Sequence, residues 1–146
     1  MIEFQKVYDL FTEVGMSEPG LFMPYINPTT NEAEWLPTSD SEAMIDYEDL
    51  EEMQERINNE PGWIELPDKH ELKLDSRLPL GFAEDCLKPE DCDLVYNFFR
   101  HRGAYSNFRA LLDRLDMTQT WYQYEDNAIR AALKKWLVNN KIEFSE

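Results

Sequence analysis

The apolar positions of this chain fall into stripes that predict helices toward both ends and short strands between them. Phe4, Val7, Tyr8, Phe11 and Val14 follow the i, i+3, i+4, i+7 spacing of one helix face, and Gly15 is placed to stop that helix. Leu21 to Ile26 and Ala33 to Leu36 are short aromatic-rich runs flanking Asn27-Pro28-Thr29-Thr30-Asn31. Those flanked residues favour turns by fixing φ or bonding their own backbone, so the pattern predicts a hairpin. Pro24 has no N–H to give to a ladder, which places the first strand at an edge or a bulge. Tyr47, Leu50, Met53 and Ile57 predict a second helix, capped by Asp40 or Ser41 and stopped by Asn58 to Gly62. Trp63-Ile64-Glu65-Leu66-Pro67 alternates as a third strand would, and a small antiparallel sheet is the natural use for it, because a lone hairpin is only marginally stable.

The second half reads as helices. Leu78, Phe82 and Leu87 share a face, with Ser76 as a cap and Pro79 tolerable only in the first turn. Pro89 pre-sets a helical start, Glu90, Asp91 and Asp93 suit the positive end of the dipole, and Leu94, Val95, Phe98 and Phe99 form the expected buried stripe. Arg100, His101 and Arg102 fall at the negative end, before Gly103. Ala104, Phe108, Leu111, Leu112 and Leu115 repeat the helical period, so a hairpin or angled pair of helices is expected across the glycine. Trp121, Tyr122 and Tyr124 lead into a last helix with Ile129, Ala132, Leu133, Trp136 and Leu137 on one face. It is read as opened by Glu125 and Asp126 and closed by Lys134, Lys135 and Lys141, after which Ile142-Glu143-Phe144 returns as an edge strand. With no internal repeat, these elements predict a single α+β domain over residues 1–146, a small antiparallel sheet packed with five or six helices and a helical C-terminal half.

Composition narrows the class. A hydrophobic fraction of 42% in 146 residues is enough for a real core, and no run approaches the roughly 18 apolar residues of a membrane span. The opening Met1-Ile2-Glu3-Phe4-Gln5-Lys6 lacks a charged-then-apolar export signal, so a soluble, cytoplasmic protein without membrane contact is expected. In that compartment Cys86 and Cys92 are expected as reduced thiols, and their spacing fits no common zinc pattern.

Charge changes the picture most. The net charge of −16 is divided unequally: residues 1–68 hold 17 acids and 2 bases, residues 69–146 hold 13 acids and 12 bases. Such a balance argues against general nucleic-acid binding, which needs a basic face to displace counterions from phosphates. It leaves an acidic surface that steers a basic partner or mimics a nucleic acid, or simply one that keeps the chain soluble. Positive charge is concentrated in Arg100-His101-Arg102-Gly103-Ala104-Tyr105-Ser106-Asn107-Phe108-Arg109.

The order Trp63-Ile64-Glu65-Leu66-Pro67, Phe82, Arg102-Gly103-Ala104-Tyr105-Ser106-Asn107-Phe108-Arg109, Trp121-Tyr122-Gln123-Tyr124, Trp136-Leu137 and Ile142 resembles the bacterial Uncharacterised Protein Family 0158 from about the hairpin to the C-terminus. Its most specific parts are the Arg-Gly-Ala-aromatic run with the following Phe-Arg, and the Trp-Tyr pair. Tyr105 and Asn107 depart from the Phe and Arg expected there, which leaves one positive charge fewer at the bend. The resemblance implies no activity, cofactor or catalytic residue.

Catalytic signatures are mostly missing: there is no glycine-rich phosphate loop, no nucleophile elbow and no histidine pair at metal spacing. Asp91-Cys92-Asp93 lacks the glycine and later glutamate of a calcium loop, so neither metal nor cofactor is expected. His101, beside two arginines, suits either a neutral base or a residue stabilising a helix end. Two functional classes remain. In one, Asp46, Glu48, Asp49, Glu51, Glu52 and Glu55 dock a non-catalytic module on a basic protein. In the other, Arg100, His101, Arg102, Tyr105 and Arg109, with Trp121 and Tyr122, hold an anionic or nucleotide-like molecule through guanidinium forks and stacking rings. A plainer use of the arginines is an internal clasp on the acidic helix.

Overall fold

The chain runs β1 (Ile2–Glu3), α1 (Phe4–Gly15), β2 (Phe22–Asn27), β3 (Glu32–Pro37), α2 (Tyr47–Asn59), β4 (Ile64–Glu65), α3 (Arg77–Cys86), α4 (Pro89–Phe98), α5 (Ala104–Arg114), α6 (Thr118–Asn139) and β5 (Phe144–Ser145). This computed structural model describes residues 1–15, 22–37 and 47–146. The capping candidates Asp40 and Ser41 lie outside the described residues. The fold is α+β, with six helices among the described residues, a three-stranded antiparallel sheet in the order β3-β2-β4 and a parallel pair of β1 with β5. No helix of the described residues is long and apolar enough to cross a membrane.

Two compact units divide the chain, one of Met1–Asp68 with Leu133–Glu146 and one of Lys69–Ala132. In the first, α1 buries Phe4, Val7 and Phe11 of the expected stripe, with Leu10 added and Tyr8 and Val14 only partly buried, and Ile2, Ile26, Leu36, Leu50, Leu66, Leu133, Leu137 and Ile142 add to the buried apolar set. The expected hairpin is present with Phe22 opposite Pro37 and Asn27 opposite Glu32. Its first strand is not at an edge, however: β2 is central, with β4 on its other side. Pro24 survives there because β4 is so short. The Leu66 amide donates to the Pro24 carbonyl at 2.9 Å, and the one bond Pro24 cannot donate in return falls where β4 runs out. Ile142 to Phe144 does return as a strand at its end, but β5 lies parallel to β1, Phe144 beside Ile2, with the Ile2 amide on the Glu143 carbonyl.

In the Lys69–Ala132 unit, Phe82, Ala83, Val95, Phe108, Leu111, Leu112 and Trp121 form one buried cluster. Pro79 sits in the first turn of α3 as the helix rules require, and is buried. Leu94, expected in the buried stripe of α4, is 39% exposed. The stripe that packs is Cys92, Val95, Phe98 and Phe99, and Leu94 projects off its side. Gly103 has φ of +74°, a left-handed bend that L residues rarely adopt and that lets α5 start at the next residue, Ala104, after the turn that ends α4. The last helix begins at Thr118, not at the acids Glu125 and Asp126, because the Trp121 amide already closes a turn on the Met117 carbonyl.

Candidate functional site

The arginine-rich stretch divides between two surroundings. Arg100 follows the end of α4 in a tight turn, its amide bonded to the Asn97 carbonyl and that of His101 to Phe98. Its side chain lines a hollow of about 450 Å³ with Glu84 of α3 and Cys92, Asp93, Tyr96 and Asn97 of α4. Arg109 lies one turn beyond Tyr105 on α5 and acts electrostatically on both Tyr105 and Glu125 of α6. His101 and Arg102 are exposed in the turn between. Among the described residues, none of Arg100, Arg102 and Arg109 forms an ion pair.

Around Glu125 several of the sequence candidates meet. Tyr105 is 46% exposed and rests edge-on against Phe99, with ring centroids 5.1 Å apart. Tyr122, also exposed, is three residues before Glu125 and so on the same face of α6. Trp121 goes elsewhere: it is buried, edge-on to Phe82 and Phe108 at 5.3 and 5.0 Å. Two members of this face escaped sequence reasoning. Glu125 reads as a helix-opening acid, and Lys69, which also acts on it, stands in a stretch without periodicity. The usable signal was the three-residue step from Tyr122.

Glu125 is half-buried and makes no hydrogen bond or ion pair among the described residues. Burial raises its carboxyl above the ordinary 4.5, and Asp126 adds to this, while Lys69 and Arg109 pull the other way. The folded protein therefore binds this proton more tightly than the unfolded chain. The associated stability is fully present below the unfolded value of 4.5 and is lost as pH rises through the raised one. Glu125→Gln is expected to raise the melting temperature at neutral pH and to leave it unchanged near about pH 3.5, where both states are protonated, as thermal melts across pH will show.

The hollow beside Arg100 is polar. Tyr96 donates its hydroxyl to Glu84, tying α4 to α3, and the partner anion raises the phenol most, ahead of burial. Burial, then Glu84 and Asp93, hold the Cys92 thiol protonated above its usual range. Cys86 is exposed. Iodoacetamide followed by peptide mass spectrometry is expected to label Cys86 first, with Cys92 slower by about tenfold, since thiolate fraction and access both control the rate.

On α2, Glu51, Glu52 and Glu55 are exposed and have neither a hydrogen bond nor an ion pair among the described residues. Glu48 and Asp49 occupy its first turn, and Asp46 lies outside the described residues. Three bases of this unit are engaged elsewhere. Arg56 pairs with Glu32 and with Glu60 and lies 5.7 Å from the Trp63 ring centroid. Lys6 donates to the Asn31 carbonyl at 2.7 Å. Lys134 pairs with Glu146 and lies over the Phe4 ring.

Among the described residues no group of three or more His, Cys, Asp or Glu side chains is placed to hold a metal ion. A family model described as an uncharacterised protein family, UPF0158, matches residues 40–146. The chain belongs to this family. No curated protein and no solved structure matches it. The UPF0158 match takes in everything from α2 to β5, including the α2 carboxylates, the hollow and the Glu125 face. The match begins just after the hairpin, and every residue of the quoted motif order, from Trp63 to Ile142, lies within it.

Proposed function

We propose that this UPF0158 protein is a non-catalytic, cytoplasmic module that docks its acidic α2 surface on a basic protein partner. The observation that carries the reading is the uncompensated state of Glu51, Glu52 and Glu55 on a helix whose one base, Arg56, is already paired with Glu32 and Glu60. Like charges crowded along one helix face cost some helix stability, and an opposite surface recovers it on binding. The first turn of α2 brings Glu48 and Asp49 to the same helix, and Asp46 precedes it. The test compares the wild type with Glu51→Gln/Glu52→Gln/Glu55→Gln as baits. A basic protein retained by the wild type at low ionic strength, released at about 1 M salt where the Debye length is about 3 Å, and not retained by the triple variant supports docking. Equal retention by both baits sinks it.

A second reading is favoured by one observation, the unpaired cations Arg109 and Lys69 beside the exposed rings of Tyr105 and Tyr122. That face suits an anionic or nucleotide-like molecule, its phosphate on the cations and its base on a ring. A thermal-shift panel of phosphorylated metabolites tests it, since a ligand selective for the folded state must raise the melting point. No shift across the panel removes this reading and leaves the first intact.

A further inference from the structure

We propose that the hollow between α3 and α4 binds a short peptide of two or three residues by its free ends, the carboxylate on Arg100 and the ammonium on Glu84 and Asp93. The hollow's about 450 Å³ is in the range of small-molecule sites, and its lining is charged in opposite senses at its two ends. Asp93, Asn97 and Arg100 succeed one another at intervals of four and three residues, so they line one side of α4 and its terminal turn. Seven residues of helical rise separate Asp93 from Arg100 by about 10 Å. An α-amino acid is too short to reach both ends, whereas an extended chain gains about 3.3–3.6 Å per residue, and two or three residues span most of the gap.

The polar groups are available. Asp93, Arg100 and the Asn97 amide have no side-chain partner among the described residues. Glu84 is held in place by the Tyr96 hydroxyl through one of its oxygens, which leaves the other for an ammonium. A carboxylate fixed before binding loses little freedom on binding. Arg100 offers a planar fork matched to a carboxylate, and Asn97 beside it supplies a neutral amide for a peptide group. Cys92 contributes an uncharged thiol to the lining. None of these groups belongs to the α2 surface or to the Glu125 face, so this site stands or falls separately from both readings above.

Cys92 supplies the readout, with Cys86 as the reference in the same molecule. Trialanine at about ten times its Kd is expected to slow iodoacetamide labelling of Cys92 about tenfold while Cys86 is unaffected. N-acetylation or C-terminal amidation of the peptide each raises the concentration needed for that protection about tenfold, because each removes one charge-assisted contact. Arg100→Gln and Asp93→Asn, exposed positions whose replacement leaves the melting point unchanged, each raise the concentration of uncapped trialanine needed by a similar factor. Protection that is absent at about 10 mM trialanine, where even a millimolar ligand saturates, overturns the proposal. So does protection that is equal for the doubly capped peptide or undiminished in Arg100→Gln.

Discussion

Replacing Phe82 by alanine is expected to destabilise the Lys69–Ala132 unit by about 3–5 kcal/mol, the usual cost of deleting a buried aromatic ring. Phe82 is completely buried among three other aromatic side chains. Its ring meets Phe108 at 6.2 Å, Trp121 at 5.3 Å and Tyr124 at 5.2 Å between centroids, each near the edge-to-face arrangement that aromatic quadrupoles favour. α3, α5 and α6 therefore share this one side chain, and the space it leaves cannot close without moving a helix. Phe82→Leu keeps most of the apolar volume and is expected to cost roughly half as much. Tyr122→Ala, on the exposed face of α6, is expected to stay within about 0.5 kcal/mol of wild type. Urea unfolding followed by circular dichroism measures all three; a Phe82→Ala loss below about 1 kcal/mol would show that the aromatic cluster does not hold this unit together.

That contrast between neighbouring aromatic residues shows what the sequence could and could not disclose. Trp121 and Tyr122 are adjacent and chemically alike as candidate stacking rings, yet one is core and the other surface. Spacing alone separates them once α6 is extended back to Thr118, since Trp121, Tyr124, Ala128 and Ala132 then keep to one side and Tyr122 falls outside it. The acids at 125 and 126 concealed this by resembling a helix start. Each long helix was legible because a 3.6-residue stripe records which side is buried. β1 and β5 were less so, because two-residue strands carry no period and their pairing joins the two ends of the chain.

The site was legible as chemistry and not as geometry. Arg100 and Arg109 stand nine positions apart across Gly103, and whether they converge depends on a backbone bend that no side-chain pattern records. The bend gives Arg100 to the α3–α4 hollow and Arg109 to the Glu125 face. The residues that complete both places, Glu84, Tyr96, Lys69 and Glu125, come from other elements. The charge asymmetry itself was easier to read, since 17 acids against two bases in residues 1–68 are counted directly from the sequence.

Gly62→Ala is expected to cost about 2–4 kcal/mol, and the reason lies in a neighbouring side chain more than in the glycine itself. Gly62 follows α2 with φ of +96°, where L residues are strained. A Cβ there would stand 2.8 Å from the Asn27 side-chain oxygen and 3.1 Å from the Thr29 hydroxyl. Asn27 is completely buried at the end of β2, and that oxygen accepts from the Thr29 amide at 3.0 Å and the Thr30 amide at 3.3 Å. Its amide nitrogen donates to the Pro61 carbonyl at 3.2 Å. One side chain thus closes the hairpin turn and fastens it to the segment that ends α2, which is how the turn-forming run of residues 27–31 and the helix stop at 58–62 come to depend on each other. Asn27→Asp keeps the acceptor, loses the donor and buries a charge, so it is expected to cost more at neutral pH than at about pH 3, where the carboxyl is protonated. Asn27→Ala leaves two amides and a carbonyl without partners and is expected to lose about 2–3 kcal/mol. Once that side chain is gone, Gly62→Ala loses its closest clash and retains its backbone strain and the looser contact with the Thr29 hydroxyl. A double-mutant cycle by urea unfolding should therefore give a combined loss smaller than the sum by about 1 kcal/mol or more. Strict additivity would mean that the glycine is required for its φ alone and that the contact with Asn27 carries no energy.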